Sequence, residues 1–531
     1  MHCRVTDLIS EAAAARPAAP ALSHGAELQS YGELAETVET AARGLVGLGL
    51  ARGDRVAVFL EKRLETIAAL FAAAAAGCVF VPVNPQLKPR QVAHILADCG
   101  ARALVTSQAR LGALGAALEG CDELKQVILV DGLDQAAAMD GVSLTAWQDL
   151  PSAAPTGARL HPTILDDMAA ILYTSGSTGL PKGVVLSHKN LLLGAQSVAS
   201  YLENGPEDRI LSLLPLSFDA GLSQATTAFC AGAKLVLMNY LLPGDVPRLC
   251  AEEGITGITG VPPLWIRLAE LDWPESAAAS VRYFANTGGH LPRAVLGKLR
   301  ARLPRAKPYL MYGLTEAFRS TYLDPALVDE RPDSMGKAIP NVEILVLRPD
   351  GSPCDPGEPG ELVHRGPLVS LGYWNDPERT TERFRPLPLR ASGLTQPEIA
   401  VWSGDRVRQD EDGFLYFIGR DDEMIKTSGY RVSPTEIEEA AYATGLVGEA
   451  VALGLPHEVL GQAIVLLVTT ATEAERLDPQ ALLVKLKAEL PSFMVPSEIL
   501  VRDHLPRNPN GKFDRKAMAH DLMQPPLERS G

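Results

Sequence analysis

Residues 169–186 read AAILYTSGSTGLPKGVVL. Short apolar runs bounded by turn residues predict buried strands, one ending at Tyr173 and one over Val184 to Leu186. The eleven residues between and around them, Tyr173 to Gly183, hold three glycines and five hydroxyl side chains. Such a loop brings backbone N–H and side-chain O–H groups close around phosphate oxygens, and Lys182 adds a full positive charge. A Gly-Ser linker is the plain alternative, but it explains neither the flanking buried strands nor the lysine. The loop is not a GxxxxGK[ST] phosphate loop. Counted from Gly176, the second glycine position holds Pro181, and Lys182 is followed by Gly183. Cleavage of a γ-phosphate in the usual way is therefore disfavoured.

Working outward, Leu34, Val38, Ala41, Leu45 and Leu48 recur at helical spacing, and Arg55 to Leu60 reads as a buried strand. An alanine-rich helix then runs into Val79–Val83, a helix opens at Pro89, and a strand follows at Ala103–Thr106. Further apolar runs at Gln126–Val130, Arg209–Leu214 and Lys234–Met238 are mostly separated by helical stretches. This alternation predicts largely parallel sheets with helices on both faces. From about Ser334 to Gly419 the chain is rich in Gly and Pro and its strands lack long helices between them, which predicts a small antiparallel β subdomain. From Asp421 onward, strands and helices mix again over some 110 residues, enough for a separate α+β domain. The expected fold is α/β: residues 1–420 as a large domain with a β subdomain at about 334–419, and residues 421–531 as a small domain. Pro151 to Pro162 reads as a loop.

The chain has 531 residues, and at about 100 to 200 residues per domain this length predicts two to four domains. Apolar residues are 46% and charged residues 21%, which excludes a disordered or collagen-like chain. With 49 basic against 64 acidic side chains the net charge is −15. No dense Lys/Arg run offers the basic face that a nucleic acid requires. Seven widely spaced cysteines without a CxxC pair favour reduced thiols in a cytoplasmic protein over disulfides or a metal cluster. The N-terminus lacks the apolar core of a signal peptide. The longest apolar stretch, Ile67 to Val83, is interrupted by Gly77 and Pro82 and reads as a buried helix running into a strand, not an integral membrane segment.

Three more stretches narrow the chemistry. YLMYGLTEA, Tyr309 to Ala317, places an aromatic ring, a glycine turn, a hydroxyl and a carboxylate together as Tyr312, Gly313, Thr315 and Glu316. A ring can stack on a base, a hydroxyl can reach a phosphate, and a carboxylate can hold Mg²⁺. WSGD, Trp402 to Asp405, sets one carboxylate on a turn, suited to two vicinal ribose hydroxyls. GRDDEMIKTSGYRVSPTEIE, Gly419 to Glu438, offers Arg420 and Arg431 as cations. Each could be a helix cap or a turn former; their combination and order are specific.

On these motifs the chain resembles the AMP-forming adenylating enzymes: acyl-CoA synthetases, nonribosomal adenylation domains and firefly luciferase. The likeness runs through PRNPNGKFDRKA, Pro506 to Ala517. The resemblance implies a large N-terminal domain of two sheets plus a β subdomain, and a small mobile C-terminal domain. It implies an enzyme that activates a carboxylic acid with ATP and Mg²⁺ and passes it to coenzyme A or to the phosphopantetheine of a carrier protein. By position, Thr174, Ser175, Gly176, Ser177, Thr178, Gly179 and Lys182 would hold the pyrophosphate end of ATP. Gly288 and Gly289 would lie along the adenine, Tyr312 would stack on it, and Asp405, with Arg420 nearby, would hold the ribose. Thr315 would touch the α-phosphate and Glu316 would bind Mg²⁺. Arg431 would hold phosphate in the closed state, and Lys512 would bridge acid and phosphate during adenylation. Asp422 matches the hinge, and Ser428 with Gly429 would line the thiol tunnel. No cysteine or Ser-His-Asp nucleophile is required, and His188 reads as structural, at a helix entry.

The acid pocket is expected near Leu214–Gln224 and Gly260–Trp265, with Phe218, Asp219 and Trp265 as substrate residues. Phe218 departs from the His of many acyl-CoA synthetases. In amino-acid-activating members an Asp after that Phe pairs with the substrate's ammonium, and a buried carboxylate suits such a cation. The alternative is that Asp219 caps a helix starting near Leu222 or stays paired inside the protein. The segment SFDAGLSQATTAF is more similar to bacterial acyl-CoA ligases associated with exosortase-type exopolysaccharide clusters, where an acyl carrier protein is a candidate acceptor. Two substrate classes stay open here: a fatty or other plain carboxylic acid, or an amino acid loaded onto a separate peptidyl carrier protein. A catalytically inactive nucleotide-binding relative is the non-enzyme alternative. Such a relative would be expected to have lost Lys512, Glu316 or Asp405, and all three are present.

Overall fold

The computed structural model describes residues 4–134, 139–154, 159–174, 181–388, 395–420, 424–470, 477–507 and 513–523. Among these residues the apolar runs become two large sheets. One has seven strands, in the order Ser143–Ala146, Gln126–Leu129, Ala101–Thr106, Arg55–Phe59, Val79–Pro82, Met168–Thr174 and Lys182–Ser187. All its neighbours pair in parallel except the last two, which are antiparallel. The other has nine strands and is parallel from Pro20–His24 through to Lys307–Tyr312, with antiparallel strands added at both edges.

The helices Tyr31–Gly47, Leu64–Ala75, His188–Tyr201 and Asp219–Cys230 share one buried cluster with residues of both sheets, including Val58, Leu172, Leu235 and Tyr309. Two further clusters cover the outer faces. The result is a layered α/β body, as parallel sheets buried on both faces require. The Ile67–Val83 stretch is the helix Leu64–Ala75 followed by the strand Val79–Pro82. No helix among the described residues is long and apolar enough to cross a membrane.

Glu343–Leu347, Pro359–Arg365, Phe384–Pro386, Ile399–Gln409 and Leu415–Arg420 form a separate antiparallel sheet. From Ile425 onward the strands form a sheet of their own, covered by the helices Pro434–Ala443 and Pro479–Glu489 through Ile437, Ala441, Leu482 and Leu486. Burial of each such leucine or isoleucine side chain contributes about 1.5–3 kcal/mol.

Three details differ from the sequence reading. Pro20–His24 and Glu27–Ser30 form a hairpin whose strands are too short to show a period. The presumed loop at Pro151 begins as a helical turn, Leu150–Ala153, because Gly44 and Gly47 leave a groove for it. A Cβ at those glycines would lie 2.4 Å from the Leu150 carbonyl oxygen and 2.1 Å from that of Ala153. The helix expected near Leu222 starts at Asp219 instead, with Phe218 as its N-cap. Gly221 permits this, since a Cβ there would come within 1.9 Å of the Pro215 carbonyl oxygen.

Candidate active site

The strands Met168–Thr174 and Lys182–Ser187 pair so that Thr174 stands opposite Lys182, at the mouth of the loop. Ser187 then caps the helix His188–Tyr201, accepting from the Asn190 amide while Asn190 accepts from the Ser187 amide. A cap of this kind is worth about 1 kcal/mol and fixes where the loop's second strand ends. His188 opens that helix and accepts from the Val5 amide at 3.1 Å. Burial lowers its imidazole to about 4, so it is neutral.

Lys182 Nζ lies 3.3 Å from Glu316 Oε1 and donates to the Tyr373 hydroxyl at 2.6 Å. The Tyr373 hydroxyl donates to the same Glu316 oxygen at 2.6 Å. Burial opposes ionisation of Glu316, but Lys182 and Arg431, with the Tyr373 hydroxyl, hold its carboxyl well below the usual range. Burial lowers the Lys182 ammonium to about 8, and Arg431 and Arg383 push the same way against Glu316. Burial also pushes the Tyr373 hydroxyl well above its ordinary value. Tyr373, absent from the sequence reading, lies between Gly372 and Trp374 in a stretch without periodicity. The neighbouring Gly372 is the one local sign in the sequence, and the structure holds it at φ +119°.

Tyr312 ends the strand Lys307–Tyr312, and its hydroxyl donates to the Asp405 carboxylate. This ties the nine-stranded sheet to the β subdomain. Gly288, at φ +77°, and Gly289 turn beside Val261 and Pro262, with the Asn286 amide donating to the Gly289 carbonyl at 2.8 Å. Thr315, Glu316, Tyr312, Asp405, Phe218 and Asp219 line one central cavity.

The C-terminal hairpin closes that cavity. Ser428, at φ +53°, and Gly429, at φ +82°, form its turn between Ile425–Thr427 and Tyr430–Val432. A Cβ on Gly429 would lie 2.8 Å from Val261. The Tyr430 ring stacks on Phe493 at 3.7 Å and meets Phe218 edge-on at 4.9 Å. Gly429 lines the central cavity and two others. One of these runs past Gly288, Gly289 and Tyr312. The other runs past Leu213–Phe218 toward Lys62 and Arg267.

Trp265 is fully buried, packed on Phe284 at 5.5 Å in the core outside the nine-stranded sheet, because the helix Pro262–Ala269 turns that face inward. Pro263 and Leu264 face the cavity instead. Ser175, Gly176, Ser177, Thr178, Gly179, Asp422 and Lys512 lie outside the described residues. Arg420 is placed by its backbone, paired with Asp405. Cys78, Cys99, Cys121, Cys230, Cys250 and Cys354 are unbridged, and burial raises every one of these thiols.

Comparison with known proteins gives a consistent neighbourhood. Residues 9–374 match the AMP-binding enzyme family, and residues 436–512 match the AMP-binding enzyme C-terminal domain. A feruloyl-CoA synthase from an Amycolatopsis species is 30% identical over 94% of this chain and 94% of its own. The probable non-canonical nonribosomal peptide synthetase CymA of Salinispora arenicola is 32% identical over 97% of this chain, which spans 6% of that protein. A double mutant of the Bacillus subtilis o-succinylbenzoate CoA synthetase, bound with the product analogue OSB-NCoA, superposes with a TM-score of 0.81 at 25% identity, over 96% of this chain and 97% of that one. The same enzyme in complex with the acyl-adenylate OSB-AMP gives 0.67 at the same identity and coverage. At this identity and coverage the chain superposes better on the product-analogue complex than on the acyl-adenylate complex.

Proposed function

The chain belongs to the AMP-binding enzyme family, and from that premise we propose that it is an ATP-dependent, AMP-forming acid–thiol ligase. In the first half-reaction a carboxylate oxygen of the acid attacks the α-phosphorus of ATP and pyrophosphate leaves. In the second, a thiol attacks the carbonyl carbon of the acyl-adenylate, AMP leaves and the thiol proton is released. The observation that carries this reading is the convergence of Lys182, Glu316 and Tyr373 with the Tyr312–Asp405 pair around one cavity.

In this reading Lys182 binds the phosphates, and Asp405 and Tyr312 hold the nucleoside with Gly288 and Gly289 beneath it. Thr315 orients the α-phosphate, and Arg431 supports it from the C-terminal side. Lys512 stabilises the charge that develops as two anions join; preorganised donors of this kind are worth ~10²–10³ in rate. Among the described residues no cluster of three or more His, Cys, Asp or Glu side chains could hold a metal. One ionised carboxylate with substrate phosphates is a normal magnesium donor set, and Glu316 fits it. Bound there, the ion would neutralise phosphate charge.

The division into residues 1–420 and a mobile 421–531, hinged at Asp422, is part of the same proposal. Ser428 and Gly429 then serve the thiol half-reaction in the arrangement described here, and Lys512 serves the other. Coenzyme A is the thiol this reading favours, with a separate carrier protein as the finer alternative. The amino-acid reading has the CymA similarity in its favour.

The test is hydroxylamine-trapped adenylate formation with ATP and Mg²⁺ across aliphatic, aromatic and amino acids, followed by transfer to coenzyme A or a carrier protein. Silence across the panel overturns the ligase reading. Lys512→Ala is expected to lose adenylate formation yet still convert supplied acyl-AMP to thioester. Equal loss of both half-reactions overturns the two-arrangement reading.

A further inference from the structure

Asp219 lines the central cavity at the first turn of the helix Asp219–Cys230. One carboxylate oxygen accepts from the Ala220 amide at 2.7 Å. The other lies 3.6 Å from Nη1 of Arg319, whose side chain is 4% exposed. The backbone is bent to bring Arg319 there. Phe318 sits at φ +55°, a region that side-chain-bearing residues rarely adopt. Its ring fills the notch at Gly194, where a Cβ would come within 2.4 Å of it. On the other side Gly313 admits Arg319, since a Cβ there would meet its Cα at 3.3 Å. Two glycines and one left-handed residue thus accommodate a single buried guanidinium.

We propose that Arg319 is a built-in counter-ion that neutralises Asp219 from inside the cavity wall and selects acids without an α-amino group. The inference rests on the acid–thiol ligase reading and sharpens it. A buried carboxylate left alone would attract a substrate ammonium or take up a proton. With a fixed cation beside it, a second cation gains little and meets the guanidinium's repulsion. Burial raises the Asp219 carboxyl above its ordinary range in spite of Arg319 and the Ala220 amide, and Glu316 pushes it the same way. The carboxylate is therefore dependent on its partner. Arg319 acts on specificity through Asp219 and is not assigned to the reacting atoms.

The experiment uses the full chain and measures hydroxylamine-trapped adenylate with matched pairs, 3-phenylpropanoate against phenylalanine and hexanoate against norleucine. The wild type is expected to favour the acid without the amine. Arg319→Met is expected to shift the kcat/KM ratio toward the amino acid by at least about tenfold, the size of a change of one charged partner in a buried pocket. The double variant D219N/R319M, with both charges removed, is expected to return the ratio toward the wild type. Arg319→Lys keeps a cation and should keep the ratio. If Arg319→Met does not fold, the comparison of the double variant and Arg319→Lys with the wild type decides: both should retain the preference, and a turn to amino acids in either overturns the inference. An unchanged ratio in folded Arg319→Met overturns it. A wild type that prefers amino acids also overturns it while leaving the ligase reading intact. A wild type that activates neither class fails both.

Discussion

The two sides of the cavity are built from different forces. The large domain contributes charges held by opposite charge or by a hydrogen bond: Lys182 and Glu316 bridged by Tyr373, Asp219 opposite Arg319, and Asp405 accepting from the Tyr312 hydroxyl. The C-terminal hairpin contributes close packing, a glycine against Val261 and a tyrosine between Phe493 and Phe218, and adds the Arg431 charge to the Lys182–Glu316 pair. A buried ion pair is costly to break, since removing either partner leaves an uncompensated charge. A ring contact against a surface can be released into water at a smaller penalty. On the proposed two-arrangement reading, the contrast is that between a side that stays with the nucleotide and a side that docks and leaves.

The largest effect should come from the fixed side. Glu316→Gln removes the carboxylate that compensates Lys182 next to Arg431 and Arg383. Adenylate formation is expected to fall ~10²–10³-fold, with a lower melting temperature as Lys182 loses its buried counter-charge. The double variant K182M/E316Q should recover the melting temperature and not the activity. Full activity in Glu316→Gln would break the comparison, because the ion-paired side would then be scaffold alone.

How far the sequence carried this picture depends on the range of the interactions. The strands around residues 169–186 and the antiparallel subdomain were legible because they are local patterns of apolar runs and turn residues. Glu316 and Asp405 were legible because each sits in a short motif. Tyr373 was not, since it meets Glu316 only after the chain returns 57 residues later. Trp265 looked like a pocket residue in GVPPLW, yet the sequence does not say which face of a two-turn helix turns inward. Asp219 was left between ligand and structural partner, and its real neighbour, Arg319, is 100 positions away in the chain.

A smaller and more selective effect is expected on the C-terminal side. Gly429→Val places a Cβ at 2.8 Å from Val261 on a backbone at φ +82°, where three cavities meet. The docked hairpin must then shift by a fraction of an ångström or more, and displacements near 1 Å can cost ~10²-fold in rate. Thioester formation from supplied acyl-AMP should fall by about ten- to a hundredfold, while adenylate formation stays within about threefold. The comparison sharpens if the two half-reactions separate in this way. Parallel loss of both would mean that Gly429 belongs to the fixed side.

The smallest effect tests a polar contact within this arrangement. Glu436, on the helix Pro434–Ala443, accepts from the Gln91 side-chain amide at 2.6 Å across the interface. Its second carboxylate oxygen is buried and has no hydrogen-bond partner among the described residues. Burial raises its carboxyl from the ordinary 4.5 to about 7, Glu439 adds to this, and Gln91 and Arg90 oppose it. The sign follows from which arrangement holds the proton more tightly. Docked, the carboxyl keeps its proton to about 7; released into water, it keeps it only to its ordinary 4.5. Its contribution to docking is thus fully present below 4.5 and is lost as pH rises through about 7. Thioester formation from supplied acyl-AMP, divided by adenylate formation, should fall by about three- to tenfold between pH 5.5 and 8, a fraction of what a fully buried carboxylate could produce. Glu436→Gln, neutral at every pH and able to keep the Gln91 contact, should flatten that decline and leave the adenylate half-reaction unchanged. A decline that persists in Glu436→Gln would show that Glu436 is not the group behind it and would break the assignment of the pH dependence to this contact.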